Sequence, residues 1–217
     1  MNKITFKSTP RPKTKEALRA LVGAEVRQHG NQCDLNHIDV SLITDFSDLF
    51  AHSKFNGDIS KWNVSGVKNM RDMFYDSKFN GDISSWHVFK VTSMYSMFVS
   101  SEFNGDLSRW DVSQAVNMNF MFFCSKFNGN ISKWNTSSVT DMNRMFDGSR
   151  FNGDVSSWDR SSIRTDYDIF SDSAMAKKIG TKNPSFDQVK SYFLNLKLEA
   201  GLQEDLPMPI KAPKVRL

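Results

Sequence analysis

A nine-residue segment occurs five times in this chain, and each occurrence begins 24 residues after the one before it. The segments read FNGDISKWN, FNGDISSWH, FNGDLSRWD, FNGNISKWN and FNGDVSSWD, and no insertion interrupts their spacing. A degenerate copy at 31–54 keeps the apolar positions. A short fixed period is typical of proteins whose units stack on their neighbours. The sequence therefore predicts one array of six repeats over 31–174.

The apolar positions of a repeat predict its secondary structure when Phe55 is counted as position 1. Positions 5, 8 and 10 of the second repeat, 55–78, are Ile59, Trp62 and Val64. This is the spacing of a leucine-rich-repeat strand. Positions 13, 16, 19 and 20 are also apolar, and their spacing of three to four residues indicates a short helix. The sequence predicts an α/β repeat solenoid with leucine-rich-repeat-like units of strand, turn and short helix.

Three polar positions recur beside the apolar ones. Asparagine at position 2 precedes glycine at position 3, a pair typical of turns because glycine allows backbone conformations closed to other residues. The asparagines of successive repeats are expected to form a ladder of buried amides that satisfy backbone groups. Position 4 is aspartate except at Asn130. We expect each carboxylate to accept N–H bonds within its own turn, with a bound Ca²⁺ ion as the alternative.

The flanking segments are expected to cover the two ends of the repeat core. Residues 1–30 form an N-terminal extension and cap helix, with Thr14 as the N-cap and Gly30 as the stop signal. Residues 175–205 form a C-terminal cap helix that opens on the capping box Ser185-x-x-Gln188. Residues 206–217 read as a basic, proline-rich tail that is extended or disordered.

The distribution of charge limits the class of partner. Acidic residues outnumber basic ones in the repeats, whereas both flanks are basic. This pattern disfavours a continuous phosphate-binding groove, so we expect no nucleic-acid partner. No signal peptide or transmembrane segment is recognisable, which predicts no membrane span and a cytoplasmic location. Cys33 and Cys124 are expected to be free thiols in a reducing compartment.

Few residues suggest catalysis. The sequence contains no phosphate-binding P-loop, HExxH, GxSxG or CxxC motif. The four histidines are His29, His37, His52 and His87. None of them has a recurring acidic residue or cysteine at the spacing typical of metal ligands. The sequence therefore predicts a protein that is not an enzyme and has no cofactor or metal site. A hydrolase that uses His87 and Asp111 is the alternative.

Residues that depart from the repeat at outward positions are the candidates for function, because the constant positions build the stack. Position 21 is apolar in three successive repeats, and other large apolar residues lie beside it. The predicted partner-binding surface consists of Tyr75, Phe89, Tyr95, Val99, Phe120 and Phe123. Such clusters mark interfaces more often than chance. The alternatives are that a terminal segment or second subunit covers the cluster, or that it is more deeply buried.

The segments DISKWNVSGVKNMRDMF and NISKWNTSSVTDMNRMF resemble the repeats of BspA-like bacterial proteins, a leucine-rich-repeat-related family. The resemblance covers 31–174 and rests on the aromatic, serine, valine and methionine positions recurring together. It implies a leucine-rich-repeat-like fold. Because the family consists mostly of secreted or cell-surface proteins implicated in adhesion, it also implies a protein partner and an extracellular or surface location.

These observations support two functions. The first is a non-enzymatic module whose repeat surface docks a protein partner, either as an adhesin or as an intracellular binder or inhibitor. The alternative is a self-assembling structural protein that forms a homodimer or larger oligomer through the apolar column at position 21.

Overall fold

The computed structural model describes residues 9–204, with side chains up to Gly201. It contains three helices, α1 (Lys15–His29), α2 (Ala174–Ile179) and α3 (Phe186–Glu204). Helix α1 precedes the repeats, and α2 and α3 follow them. Within the described range, the chain from 31 to 173 contains neither a helix nor a strand and consists of turns and isolated bridges.

The predicted α/β repeat solenoid, with a strand and a short helix in each leucine-rich-repeat-like unit, is wrong. At positions 5 to 8 the chain forms a turn, because the Trp62 N–H donates to the Ile59 carbonyl oxygen three residues earlier at 3.2 Å. Asp72, within the predicted helix, and Asp76, just after it, adopt φ angles of 53° and 47°. An α-helix requires negative φ angles, so the segment bends at these two residues.

Backbone hydrogen bonds join each repeat to the next. The N–H groups of Met70, Asp72 and Phe74 donate to carbonyl oxygens of the third repeat at 2.9–3.0 Å. The N–H groups that alternate with these donate within their own repeat and close turns. The Met73 N–H, for example, donates to the Met70 carbonyl oxygen. Isolated parallel bridges at position 15 connect all six repeats in series, from Asp45 to Thr165. The repeats therefore stack in register.

Columns of aromatic rings fill the core of the stack. Phe103, at position 1, lies 6.3 Å from the rings of both Phe79 and Phe127. Phe98, at position 20, lies 5.5 Å from its equivalents in the neighbouring repeats and 4.6 Å from Phe103. Every tryptophan at position 8 is buried, and its indole N–H donates to a position-5 carbonyl of the preceding repeat, as Trp110 does to Ile83 at 3.0 Å. The apolar positions predicted from the sequence are thus confirmed as the core.

The glycine at position 3 serves packing. Among the described glycines only Gly30, Gly148 and Gly180 have positive φ angles, and all three lie outside position 3. A Cβ atom on Gly81 would lie 2.9 Å from the ring of Phe79. The conformational reason expected for this glycine is therefore wrong, and its missing side chain instead leaves room for the aromatic ring two residues earlier.

The asparagine ladder at position 2 is confirmed. The backbone N–H of Asn80 donates to Asn56 Oδ1, and those of Asn104 and Asn128 donate to the asparagine one repeat earlier, each at 2.7 Å. The amides were expected to be buried, but they are exposed or half-buried. The ladder therefore follows the surface of the stack.

Asn104→Ala is expected to lower the free energy of unfolding by about 0.5–1.5 kcal/mol, because the Asn128 N–H loses its side-chain acceptor. The measurement is urea denaturation followed by tryptophan fluorescence. Asn104→Asp keeps an oxygen acceptor and is the matched control. Equal stability of the two variants would show that the ladder bond contributes nothing.

The cap helices agree with their predicted signals. Thr14 Oγ1 accepts the Ala17 N–H at 3.2 Å, and α1 stops at Gly30. The N–H of Ser185 donates to Gln188 Oε1 at 2.8 Å, and Ser185 Oγ accepts the Gln188 N–H at 3.2 Å. Helix α2 was not predicted, and α3 continues past the expected end near Gly201.

Two further predictions concern the ends of the chain and the membrane. The predicted tail at 206–217 lies outside the described residues. Among the helices of the described part, none combines the length and the apolar character needed to cross a bilayer.

Candidate partner-binding surface

The structure separates the six residues of the predicted surface by their exposure. Val99 is buried, with 6% of its surface exposed. Four others are half-buried, namely Tyr75, Tyr95, Phe120 and Phe123. Phe89 is 41% exposed. The apolar column at position 21 therefore offers little apolar surface to a partner.

Three of the half-buried residues contact one another. The Phe120 ring meets the rings of Tyr95 and Phe123 edge-on, each at a centroid distance of 5.9 Å. Arg71 lies 4.8 Å above the Tyr95 ring. Tyr75 instead packs against His52 at 5.1 Å. These local contacts account for the partial burial of the cluster.

Phe89 occupies a place where the other repeats form a polar turn. In five repeats the oxygen of an aspartate or asparagine at position 9 accepts the N–H of a serine at position 11, at 2.8–3.2 Å. The pairs are Asp39–Ser41, Asn63–Ser65, Asp111–Ser113, Asn135–Ser137 and Asp159–Ser161. The third repeat has His87 and Phe89 at these positions. It therefore lacks both partners of the turn bond.

A groove lies on each side of Phe89. The first is lined by residues of the third repeat together with Arg109 and Asp111 of the fourth. The second is lined by Lys68 of the second repeat, by Lys90 and by residues of the fourth repeat that again include Asp111. The Lys90 ammonium lies 5.4 Å from the centre of the Phe89 ring. We call this region the Phe89 surface, and we define it by Lys68, His87, Phe89, Lys90, Arg109 and Asp111.

Asp111 is fixed by its neighbour on the Phe89 surface. Its Oδ1 accepts the Ser113 N–H at 3.0 Å, and hydrogen bonds from the Ser113 hydroxyl and backbone lower the pKa of this carboxyl. His87 lines the same groove, but no hydrogen bond joins it to Asp111 among the residues that the structure describes. The alternative of a hydrolase that uses His87 and Asp111 therefore has no hydrogen bond between the two side chains to support it.

A family model described as "Mycoplasma protein of unknown function, DUF285" matches residues 23–125 and again residues 99–195. The two matches overlap and together cover well over half of the chain. The chain belongs to this family. No curated protein and no solved structure matches the sequence.

Membership in DUF285 identifies the chain as a repeat protein of a bacterial family. Both matches include 99–125, and the first also includes Phe89 and Lys68. The family description assigns no function to its members. Neither the BspA-like nor the leucine-rich-repeat name is part of the description.

The aspartate column at position 4 of this DUF285 chain has the predicted structural role. Asp58 Oδ1 accepts the Ser60 N–H, and Asp106 Oδ1 accepts the Ser108 N–H, each at 2.8 Å. These backbone bonds are the main cause of the lowered pKa of both carboxyls. Asn130 Oδ1 accepts the Ser132 N–H in the same way at 3.0 Å without a negative charge. The position thus requires an oxygen acceptor, as expected for a turn.

Acid is expected to destabilise the chain partly through these carboxyls. Their pKa values are lower in the folded state, so the stability they contribute is present above the unfolded pKa and is lost as pH falls through the folded pKa. The double variant Asp58→Asn/Asp106→Asn keeps the acceptors, as Asn130 does. Thermal melts from pH 7 to below about pH 4 should show a smaller loss of Tm for the double variant than for the wild type. Parallel losses would contradict this role.

Three of the histidines have acidic neighbours that were not predicted from the sequence. His29 and His37 both approach Glu25, with Nε2 atoms 3.7 and 3.6 Å from the same Oε2 atom. His52 pairs with Asp76 at 3.0 Å. Glu25 and His29 are four residues apart on α1, and His52 and Asp76 occupy position 22 of successive repeats, whereas His37 reaches Glu25 from the first repeat. Across 9–204, no group of three histidine, cysteine, aspartate or glutamate side chains is arranged to hold a metal ion.

Three exposed apolar residues of the repeats were missing from the predicted surface. Tyr167, at position 17, is 71% exposed, and Leu42 and Val116 are 44% and 41% exposed. Leu42 and Val116 lie at positions 12 and 14, where most other repeats have polar or charged residues. This departure from the repeat was the available signal. Both positions lie close in the repeat to position 11, which Phe89 occupies.

Proposed function

We propose that this chain is a non-enzymatic protein-interaction module and that its partner docks on the Phe89 surface. The observation that carries the proposal is the break in the repeat at His87 and Phe89. Five repeats have a hydrogen-bonded polar turn at these positions, whereas the third places an aromatic ring in water. Exposed aromatic residues beside polar groups are typical of the centres of protein interfaces.

The architecture of the stack also supports this function. The Phe89 surface combines side chains of three successive repeats, so the register of the stack fixes their relative positions. A rigid surface loses little conformational entropy on binding. The resemblance to BspA-like repeats adds support for a protein partner, either an adhesion target or a protein that the chain binds or inhibits inside the cell.

Phe89→Ser restores the residue that the other repeats carry and is expected to weaken partner binding by at least about tenfold. Stability should change little, by about 0.5 kcal/mol, because the side chain is exposed. Wild type, Phe89→Ser and the matched control Tyr167→Ser are immobilised and incubated with lysate of the source cells. Bound proteins are then quantified by mass spectrometry. A protein retained by wild type and Tyr167→Ser but lost from Phe89→Ser supports the proposal, and equal retention by all three contradicts it.

The oligomeric state distinguishes a different partner from a second copy of this chain. Sedimentation velocity over a range of concentrations gives the mass of wild type and variants. A dimer abolished by Phe89→Ser would make a second copy the partner. A dimer abolished by Tyr75→Ser/Phe123→Ser instead would support self-assembly through the position-21 column.

The cell compartment determines which proteins can meet the Phe89 surface. The sequence predicts a cytoplasmic location, and the BspA-like resemblance implies the cell surface. Fractionation of source cells followed by immunoblotting separates the two. Detection in the surface fraction alone would favour the adhesin form of the proposal, and detection in the cytosol alone would favour an intracellular partner.

A further inference from the structure

We infer that the segment docking on the Phe89 surface is acidic and inserts an apolar side chain beside Phe89. This inference rests on the proposed function and adds the chemistry of the partner. The Phe89 surface contains three permanent cations, Lys68, Lys90 and Arg109, and one carboxylate, Asp111. It is therefore locally positive, although acidic residues outnumber basic ones in the repeats as a whole.

The cations of the Phe89 surface are free to meet a partner. Lys68, Lys90 and Arg109 form no ion pair with any side chain in the described part of the molecule. Some basic side chains elsewhere on the repeats do form such pairs, whereas others, such as Lys54 and Arg150, do not within the described range. Arg71 binds Asp72 at 2.8 Å, and Lys78 binds Glu102 at 3.2 Å. Within the described residues, no carboxylate thus lies within ion-pair distance of these three cations, although Asp106 interacts electrostatically with Arg109 at longer range.

The nearest carboxylate does not cancel this charge. Asp111 already accepts the Ser113 N–H through Oδ1 and lines both grooves without pairing with Lys68, Lys90 or Arg109 in the described residues. The Lys90 ammonium instead lies over the Phe89 ring. An incoming carboxylate can therefore approach Lys90 while an apolar side chain contacts the ring.

A basic row extends the surface along the stack. Position 7 carries Lys61, Arg109 and Lys133 in the second, fourth and fifth repeats, and all three are exposed. Since the repeats stack in register, these side chains follow one line on the same face as the first groove. Asp58 and Asp106 interact electrostatically with Lys61 and Arg109, but no ion pair within 4 Å occupies these cations in the described residues, so an extended acidic segment can still approach the row. The cations contribute mainly to orientation and association rate, while Phe89 supplies the apolar contact.

The test uses short random peptides displayed on phage and selected on immobilised wild-type protein, with counter-selection on Phe89→Ser. Enriched peptides are synthesised, and their binding to the full chain is measured by fluorescence anisotropy. The charge variant is Lys68→Glu/Lys90→Glu/Arg109→Glu. The matched control is Lys54→Glu/Arg150→Glu/Lys177→Glu, which reverses the same number of exposed, unpaired cations at position 24 and in α2. Circular dichroism verifies that every variant is folded.

We expect the selected peptides to be rich in aspartate and glutamate and to contain at least one large apolar residue. The charge variant should weaken their binding by about tenfold or more, and the control should leave it within about twofold. Binding should also weaken as salt rises from about 0.05 to about 0.3 M. These three results together would support the inference.

Different failures separate the inference from the proposed function. Neutral or basic peptides whose binding depends on Phe89 would overturn the acidic partner and leave the proposed docking surface standing. Peptides that bind Phe89→Ser as tightly as wild type would overturn the docking surface itself. Duplex DNA or heparin that binds as tightly as the peptides, with the same dependence on the three cations, would replace the acidic protein segment with a general polyanion.

Discussion

Phe103→Ala is expected to lower the free energy of unfolding by about 3–5 kcal/mol, the typical cost of truncating a fully buried aromatic residue. The Phe103 ring is inaccessible to solvent and packs between Phe79 and Phe127 at 6.3 Å on each side. It also packs on Phe98 at 4.6 Å. Its removal would leave a cavity in the middle of the stack. Neighbours on both sides are held by backbone bonds between repeats, so the site has little freedom to collapse.

Urea denaturation followed by circular dichroism measures this loss, and Phe89→Ala is the matched control. Phe89 is the same residue type but is 41% exposed, so its truncation should change stability by about 0.5 kcal/mol at most. Similar losses for the two variants would mean that the aromatic column does not carry the stability assigned to it.

The sequence predicted the core because burial follows the repeat directly. A residue that recurs every 24 positions occupies the same environment in each unit, so the phenylalanine, tryptophan and methionine positions could be assigned to the interior without knowledge of the backbone. The cap signals at Thr14 and Ser185 were equally local, since each bonds within three residues. Cap signals of this kind can therefore be recognised in a few consecutive residues of the sequence.

The backbone of the repeat could not be predicted in the same way. Apolar spacings of three and four residues fit a helix, but here the N–H of Phe74 bonds to Met97 in the next repeat. The bends fall at positions 18 and 22, where Asp72 and Asp76 of the second repeat are of a residue type that tolerates positive φ. Phe120 and Arg144 occupy position 18 in other repeats with φ angles of 58° and 51°. These bulky residues weaken the sequence signal for a turn.

The same error affected the candidate surface. The outward direction of positions 17, 18 and 21 was assigned on a helix that does not form, so Val99 was placed outside although it is buried. Phe89 was identified because it departs from the repeat at position 11, and it is exposed. The two grooves beside it combine side chains of three repeats, and their shape depends on the stacking of the turns. The departure of Phe89 from the repeat consensus therefore identified this residue from the sequence. The grooves around it could be described only from the structure.

Gly57→Ala is expected to destabilise the chain by about 2–3 kcal/mol through overpacking. A Cβ atom at Gly57 would lie 2.0 Å from the Cys33 carbonyl oxygen and 2.7 Å from the Phe55 ring. The Cys33 carbonyl cannot easily move away, because it accepts the Asp58 N–H at 3.1 Å beside the bridge between Asp34 and Asp58. The clash would therefore separate the first repeat from the second.

Gly66→Ala is the control that isolates the clash, because a Cβ atom there lies 3.6 Å from the nearest atom, the Ser41 carbonyl oxygen. It should leave stability unchanged or raise it by up to about 1 kcal/mol, since alanine reduces the entropy of the unfolded chain. Urea midpoints compare the two variants, and amide hydrogen exchange locates the change. We expect Gly57→Ala to lose protection first at the amides of Leu35 and Asp58, which bond across this junction. Uniform loss along the whole stack would contradict a local separation and would indicate that the repeats unfold as one cooperative unit.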